Sequence, residues 1–231
     1  MRLAVIPARG GSKRIPRKNI KNFCGKPIIA WSIEAALESG CFDRVIVSTD
    51  DPEIMEVAKK WGAETPFSRP VELSEDHTPT IPVIRHAIEW FKEHDEIPDL
   101  TCCIYATAPF IRTKDLRDGL NILLKNNSDY AFSVTSFPFP IQRAVKITSE
   151  GHLEMFQPEC FNVRSQDLEE AYHDAGQFYW GRTDAWVEEK VIFSQSSAPV
   201  ILPRYRVQDI DTPEDWIRAE MMFKILNNLQ E

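Results

Sequence analysis

The chain begins with an apolar run that gives way to glycines and basic side chains: Leu3-Ala4-Val5-Ile6-Pro7-Ala8-Arg9-Gly10-Gly11-Ser12-Lys13. The segment Leu3 to Ile6 is typical of a short buried strand that empties into a loop. In open α/β sheets, ligands bind beyond the carboxyl ends of the strands. Glycines there let backbone N–H groups turn towards an anion without a Cβ atom in the way. This run therefore predicts an anion-binding loop at the edge of a sheet.

The charge of the chain is unevenly distributed. The net charge is −8, yet six cations and no acid lie between Arg9 and Lys21. An acidic protein is poorly suited to nonspecific nucleic acid or anionic membranes, so we expect neither as a partner. Arg9 can offer a planar fork and Lys13 a point charge to a polyphosphate. A small anionic ligand is thus favoured, and the alternative is a solvated basic loop without a ligand.

Strand-like and helix-like segments alternate along most of the chain. Helical spacing follows Pro27, Asp51, Thr80, Thr113 and Thr212, and strands are predicted at 3–6, 44–48, 102–106, 130–134, 177–180 and 206–210. The alternation predicts a three-layer, Rossmann-like α/β fold in which helices cover both faces of a mostly parallel sheet. We expect residues 1–231 to form one domain. Residues 137–172, hereafter the excursion, break the rhythm with several prolines and a predicted hairpin near Gly151.

The composition gives no sign of export or of a metal-sulfur site. We find no apolar run near the roughly 18 residues that a membrane span needs and no signal-peptide pattern, so we expect a cytoplasmic protein. The five cysteines lack Cys-x-x-Cys spacing, and the five histidines are scattered. We expect reduced core thiols and no zinc.

Two carboxylates near the end of the chain form a candidate metal site. Asp209 and Asp211 flank Ile210, and on a strand such alternate residues share one face. Two converging carboxylates suit Mg²⁺, whose shell is completed by water and substrate phosphates. The alternative is that Asp211 merely leads into the helix capped by Thr212 while Asp209 is exposed. Two further segments at predicted ligand edges are weaker candidates: Ser48-Thr49-Asp50, and Ser68-Arg69-Pro70 with Asp76.

Together these motifs resemble the cytidylyltransferases that activate nine-carbon sugar acids as CMP-sugars. The resemblance spans most of the chain, is weakest between about 113 and 161, and rests on Ala8-Arg9-Gly10-Gly11-Ser12-Lys13, Lys18-Asn19-Ile20, Gly25-Lys26-Pro27, Val47-Ser48-Thr49-Asp50, Arg69-Pro70, Glu72-Leu73-Ser74-x-Asp76, Asp209-Ile210-Asp211 and Asp215-Trp216. It implies a nucleotidyltransferase fold, Mg²⁺ as cofactor, and a homodimer in which the excursion reaches across to the neighbouring subunit. The implied reaction converts CTP and a nonulosonic acid into CMP-sugar and pyrophosphate.

The resemblance also implies roles for individual residues. Arg9, Lys13 and Asp211 would be catalytic, and Asp209 with Asp211 would hold the metal. The nucleotide would contact a larger set: Ala8, Arg9, Gly10, Gly11, Ser12, Lys13, Lys18, Asn19, Arg69 and Asp76. We assign a further set to the sugar: Tyr105, Arg164, His173, Asp174 and Gln177. Arg164 lies in the excursion, so we expect it to enter the partner's site.

Two departures bear on the identity of the sugar. Where the sialic acid branch has Gln-Pro-Thr-Ser-Pro-Leu, this chain has Tyr105-Ala106-Thr107-Ala108-Pro109-Phe110, and where that branch has Asn-Gly-Ala-Ile-Tyr it has Ala175-Gly176-Gln177-Phe178-Tyr179. The sequence is similar to the branch that uses pseudaminic acid, with sialic or legionaminic acid as alternatives. More distant alternatives are a metal-dependent glycosyltransferase, which usually carries its Asp-x-Asp mid-chain, and a noncatalytic nucleotide-binding regulator.

Overall fold

The computed structural model describes residues 1–228. Its strands are β1 (Arg2–Pro7), β2 (Asn22–Phe23), β3 (Lys26–Pro27), β4 (Arg44–Ser48), β5 (Leu100–Ile104), β6 (Tyr130–Ser136), β7 (Val145–Ile147), β8 (Leu153–Met155), β9 (Tyr172–Arg182) and β10 (Ser197–Ile201). Its α-helices are α1 (Ile28–Ser39), α2 (Pro52–Lys60), α3 (Thr80–Glu93), α4 (Thr113–Asn126), α5 (Thr183–Val187) and α6 (Pro213–Asn228).

Six of the strands form a central sheet in the order β10-β6-β9-β5-β1-β4. The pairs β1–β4, β1–β5 and β10–β6 are parallel, whereas β9 runs antiparallel to both β5 and β6. The mostly parallel sheet that the alternation predicts is therefore confirmed. The reversed direction of β9 was not predicted, because a hydrophobic pattern carries no information on strand direction.

Helices cover both faces of this sheet, as predicted. Along β1, Ala4 and Ile6 face a core shared with α1, α2 and α4, while Leu3 and Val5 face a second core with α3 and α5. This alternation follows from the period of two in a strand that is buried on both sides. A third cluster joins Phe23 to α6. Packing on both faces fixes the positions of the carboxyl ends of the parallel strands, where a ligand is expected to bind.

The helix boundaries follow local capping chemistry. Asp51 caps helix α2: its Oδ1 accepts hydrogen bonds from the N–H groups of Glu53 (3.0 Å) and Ile54 (3.1 Å). Helix α1 stops at Gly40, which adopts a left-handed φ of 65°. At the start of α6, the Thr212 N–H donates to Asp215 Oδ2 (2.8 Å) and the Asp215 N–H donates back to Thr212 Oγ1 (3.2 Å). This reciprocal pair fixes the chain directly after Asp211.

Several predictions of detail are wrong. Residues 206–210 do not form a strand: a 3₁₀ turn at Arg204–Arg206 leads into irregular chain. The strand at that edge of the sheet is β10, which the pattern hides because Pro199 interrupts it. Leu124 follows the helical spacing of the buried Leu116 and Leu120 but is 51% exposed. Helix α4 includes Thr113 as its first residue, and Arg112 occupies its cap position.

The excursion leaves the sheet after β6 and returns as β9. Strands β7 and β8 form the predicted hairpin, with Lys146 opposite Glu154 and a positive φ of 82° at Gly151 in the turn. Much of its apolar surface is uncovered in the single chain. Within residues 1–228, none of the helices combines the length and apolar character needed to cross a membrane.

Candidate active site

A cleft of ≈ 610 Å³ opens beyond the carboxyl ends of β1 and β5. Most of the residues predicted to contact nucleotide or metal line it: Arg9, Ser12, Lys13, Lys18, Asn19, Arg69, Asp76, Asp209 and Asp211. The basic loop from the beginning of the chain and the acidic pair from its end therefore form walls of one cavity. A cavity of this size can hold a nucleotide-sized ligand.

The loop after β1 is tied down by backbone contacts. The Ala8 N–H donates to the Ser48 carbonyl (2.9 Å), and the Ala8 side chain is buried in the core. The Gly10 N–H donates to Asp50 Oδ1 at 3.0 Å. The Asn19 amide donates to the carbonyl of Arg9 at 2.9 Å. Ala8 thus supports the loop from below, while the side chains that follow it project into the cleft.

Arg9 and Lys13 converge on one carboxylate. Both pair with Asp76, which lies in the loop before α3. Hydrogen bonds from Lys13 and Arg9 lower the pKa of Asp76 to about 2. Since the two cations reach the same anionic group, they can reach the oxygens of one phosphate chain.

Two more cations of the loop contact the acidic pair. Arg14 Nη2 lies 2.9 Å from Asp211 Oδ2, and Lys18 Nζ lies 3.3 Å from Asp211 Oδ1. Lys18 also donates to the carbonyl of Ile210 at 2.7 Å. These contacts bring together residues that are 193 positions apart in sequence.

The acidic pair fits a magnesium ion. Burial and the neighbouring charge of Asp211 raise the pKa of Asp209, so a cation bound there would relieve an unfavourable charge. Within residues 1–228, we find no group of three or more His, Cys, Asp or Glu side chains arranged to hold a metal. Mg²⁺ is commonly held by one or two carboxylates, with water and substrate phosphates as its other ligands. Asp209 and Asp211 thus match the number and type of protein ligands that Mg²⁺ commonly takes.

Arg69 is buried without adequate partners. Arg69 lines the cleft and is 5% exposed. Its Nε and Nη2 atoms make no hydrogen bond within the described part of the chain. Its closest carboxylate is Asp50, 3.8 Å away, and burial lowers the pKa of the guanidinium. A buried charge without a partner is costly, so this arrangement indicates an anionic ligand.

A second hollow of ≈ 380 Å³ adjoins the cleft and shares Tyr105 and Asp209 with it. His173 and Asp174 line it, so three of the residues predicted for the sugar lie together. Asp174 accepts hydrogen bonds from the Gly176 N–H (2.9 Å) and from the Tyr179 hydroxyl. The hollow is thus rich in hydrogen-bond acceptors and polar side chains.

Two residues predicted for the sugar lie elsewhere in this chain. Gln177 is 3% exposed, does not line either cavity, and its amide donates to the Arg206 carbonyl at 2.7 Å. Arg164 lies on the exposed excursion, where its Nε is 2.7 Å from Asp167 Oδ2.

The motifs also miss some residues of the site. Thr80 lines the cleft and its hydroxyl lies 3.2 Å from that of Tyr105. Tyr179 holds Asp174, and burial raises the pKa of its hydroxyl. Gln208 lines the second hollow. Tyr179 lies between Phe178 and Trp180 on a predicted strand, so its side chain points to the opposite face of the sheet from theirs. That alternation was the sequence signal that could have singled it out.

Comparisons with known proteins agree with the motifs. Residues 3–230 match the family model described as cytidylyltransferase. The chain is 48% identical over 223 residues to a pseudaminic acid cytidylyltransferase of Campylobacter jejuni, with 96% of each covered. It is 34% identical over 230 residues to a CMP-N,N'-diacetyllegionaminic acid synthase of Legionella pneumophila, again with 96% of each covered.

A solved structure shares the fold. The structure of a CMP:2-keto-3-deoxy-manno-octonic acid synthetase complexed with CTP superposes with a TM-score of 0.69 at 18% identity, covering 96% of this chain and 98% of that one. The Rossmann-like nucleotidyltransferase architecture predicted from the motifs is thereby confirmed. With a family match that runs from the first strand through the last helix, the chain belongs to the cytidylyltransferases.

Proposed function

We propose that this cytidylyltransferase transfers CMP from CTP to the anomeric hydroxyl of a nine-carbon sugar acid and that the acid is pseudaminic acid. The observation that carries the proposal is the meeting of the basic loop with Asp209 and Asp211 in one cleft. The 48% identity to a pseudaminic acid cytidylyltransferase supports this sugar, and the 34% identity to the legionaminic acid enzyme makes that acid the alternative. CTP is a cytoplasmic metabolite, so we place the reaction in the cytoplasm.

In the proposed reaction the sugar hydroxyl attacks the α-phosphate of CTP in line. A new P–O bond forms, the bond to the β-phosphate breaks, the hydroxyl proton is released, and pyrophosphate leaves. Arg9 and Lys13 hold the phosphate oxygens and exchange Asp76 for them as partners. Charge builds on these oxygens in the transition state, where fixed cations stabilise it most.

Other cleft residues orient the nucleotide. Arg69 lines the cleft, and two of its guanidinium nitrogens make no hydrogen bond within residues 1–228, so we assign an anionic group of the nucleotide to it. Lys18 lies between the loop and the acidic pair. Asn19 fixes the loop through the Arg9 carbonyl. The Asn19–Arg9 and Lys18–Ile210 contacts are made before the nucleotide arrives, so this part of the cleft is already ordered for binding.

Asp209 and Asp211 would hold the Mg²⁺ ion. When bound, the ion neutralises phosphate charge and lowers the pKa of the attacking hydroxyl. Asp209 lies on the boundary between the cleft and the second hollow. Asp209 therefore adjoins the proposed positions of both the nucleotide and the sugar, while Asp211 lines the nucleotide cleft.

The second hollow is the proposed sugar site. Tyr105, His173 and Asp174, whose side chains carry hydroxyl, imidazole and carboxylate groups, line it. Hydroxyl and amide groups of a nonulosonic acid can donate to Asp174, whose carboxylate is held in place by Tyr179. We expect His173→Ala to impair use of the sugar more than use of CTP.

We also propose a homodimer formed through the excursion. Its exposed side chains include several large apolar ones: Phe139 (80%), Ile147 (75%), Leu153 (73%) and Phe161 (69%). Apolar surface of this extent is typical of an interaction site. In such a dimer Arg164 would enter the partner's sugar site. Phe139→Glu combined with Phe161→Glu should shift the mass measured by light scattering towards the monomer, and an unchanged mass would contradict this interface.

Release of pyrophosphate tests the proposed reaction. The enzyme is incubated with CTP, Mg²⁺ and pseudaminic, legionaminic or sialic acid in turn. We expect release only when sugar acid is present and fastest with pseudaminic acid. A metal-dependent glycosyltransferase would release no pyrophosphate from CTP, and a noncatalytic regulator would bind CTP without turnover for any sugar acid.

A further inference from the structure

We infer that Gln177 and the buried pair Asp115–Arg206 are positioning residues for the acidic segment, residues 207–211, which carries Asp209 and Asp211. We term these three side chains the Arg206 anchor. The inference rests on the proposed function, since it assigns to the anchor the placement of the metal-binding carboxylates. It also replaces the predicted role of Gln177 as a sugar contact.

The acidic segment lacks the backbone hydrogen bonds that a strand or a helix would supply, so its position depends on contacts with neighbouring elements. Residues 207–211 belong to neither a strand nor a helix. Towards the helix, the Asp211 N–H donates to Asp215 Oδ2 at 3.2 Å. On the side facing the cleft, Lys18 and Arg14 contact the segment, but a bound phosphate would compete for both cations. Within the segment, Ile210 is buried in the cluster with Phe23 and α6. Arg206, directly before the segment, ties it to α4 and β9.

Arg206 is fixed by a buried ion pair. Its Nη1 and Nη2 atoms lie 2.6 Å and 3.0 Å from the two carboxylate oxygens of Asp115, and both residues are 6% exposed. Asp115 also accepts from the Arg112 N–H at 3.1 Å, at the start of α4. A bidentate contact of this kind fixes both the distance and the orientation of the guanidinium. The side chain of Arg206 is thus held to α4.

Gln177 fixes the backbone of the same residue. Its Nε2 donates to the Arg206 carbonyl at 2.7 Å from within strand β9. The residue before the acidic segment is therefore held to a helix by its side chain and to the sheet by its carbonyl. Since only Val207 and Gln208 separate it from Asp209, a change at Arg206 is transmitted directly to the carboxylate.

Packing alone does not explain a glutamine at this position. Gln177 Oε1 and Arg206 Nε are both buried and lack hydrogen-bond partners within residues 1–228. Unpaired buried polar atoms are unfavourable, and an apolar side chain of similar size would avoid one of them. The hydrogen bond to the Arg206 carbonyl is the contact that such an apolar side chain would lose.

The experiment compares Gln177→Met with His173→Ala in the intact enzyme. Binding of Mn²⁺ to the nucleotide-free protein is followed by the EPR signal of the free ion, and the KM for the sugar is measured at saturating Mg²⁺. We expect Gln177→Met to raise the dissociation constant for Mn²⁺ and the half-saturating Mg²⁺ by about 10-fold, as loss of outer-shell support typically does, with an unchanged KM for the sugar. We expect the reverse pattern for His173→Ala.

A raised KM for the sugar with unchanged Mn²⁺ affinity in Gln177→Met would overturn the inference and restore Gln177 as a sugar contact. Unchanged values of both quantities would overturn it as well. Arg206→Lys, which keeps the charge and loses the bidentate contact, serves as a second variant and should weaken Mn²⁺ binding in the same direction. If wild-type enzyme fails to turn over any sugar acid, the proposed function is wrong, while the Mn²⁺ measurements still test the anchor.

Discussion

Gly10 and Gly11 are adjacent, yet their surroundings differ sharply. A Cβ atom on Gly10 would lie 2.6 Å from Asp51 Oδ2, whereas one on Gly11 would meet only the Arg9 Nη1 atom at 3.9 Å. The carboxylate of Asp51 cannot easily retreat, because it caps α2 and pairs with Arg17. Position 10 therefore requires glycine, because Asp51 lies too close to leave room for a Cβ atom.

We predict that Gly10→Ala destabilises the fold by about 1–3 kcal/mol and raises the KM for CTP, because the loop must move away from Asp51. Gly11→Ala is the matched control and should change the free energy of unfolding far less. Urea unfolding and CTP kinetics on both variants are the measurements. Equal effects of the two substitutions would contradict the crowding seen at Gly10.

Arg9 supplies the clearest prediction for the reaction itself. We expect Arg9→Ala to lower kcat about 100- to 1,000-fold, because a fixed cation is lost where charge develops on the phosphate. Arg218→Ala removes an exposed arginine of α6 and should leave turnover near the wild-type value. Turnover is measured as pyrophosphate release. Near-normal turnover of Arg9→Ala would refute the role assigned to the loop.

At the residue scale, the sequence predicts which side chains carry the chemistry of the site better than it predicts which polar side chains are buried. Arg9, Lys13, Arg69, Asp209 and Asp211 line the cleft as their residue types suggest. Gln177 is different, because the residues before it, Asp174 to Gly176, line the second hollow while its own side chain is buried and contacts the Arg206 carbonyl. Whether a polar side chain binds a ligand or the carbonyl of a distant residue depends on tertiary contacts, which a motif does not encode.

At the scale of elements, the start of α2 links helix capping to charge. Arg17 donates two hydrogen bonds to Asp51, one of them 2.9 Å long, and the pair lowers the pKa of Asp51 below its ordinary value of 3.8. A carboxyl whose pKa is lower in the folded state stabilises the protein at neutral pH. This stabilisation is lost as the pH falls through the lowered pKa.

We predict that Asp51→Asn is less stable than wild type at pH 7 and that the difference narrows as the pH falls below 3.8. Asparagine caps helices about as well as aspartate, so the substitution isolates the charge. The free energy of unfolding in urea, measured at several pH values, reports the effect. A difference that stays constant through this range would mean that the Arg17 pair does not contribute.

Elements with strong periodicity were predictable, and those defined by partners were not. Helix α3 follows its apolar stripe closely, and β4 has the predicted bounds. The acidic segment was predicted as a strand and is irregular, although Asp209 and Asp211 still reach the cleft. The Thr212–Asp215 cap that follows it is local, but the contacts of Arg206 with Asp115 and Gln177 join residues 91 and 29 positions apart, which a sequence pattern does not encode.

At the scale of the whole molecule, the fold brings opposite charges together from the two ends of the chain. The basic loop follows the first strand, and the acidic segment precedes the last helix. Neither cluster alone could hold a magnesium triphosphate, because one lacks ligands for the metal and the other lacks cations for the phosphates. The long sequence separation explains why hydrophobic periodicity could place each cluster on an element but could not show their contact.

A structure of the protein bound to Mg²⁺ and a non-hydrolysable CTP analogue tests this pairing most directly. We predict that the triphosphate replaces Asp76 as the partner of Arg9 and Lys13. We also predict that the metal lies between Asp209, Asp211 and the phosphate oxygens. A nucleotide bound outside this cleft, or a metal bound without either aspartate, would contradict the account.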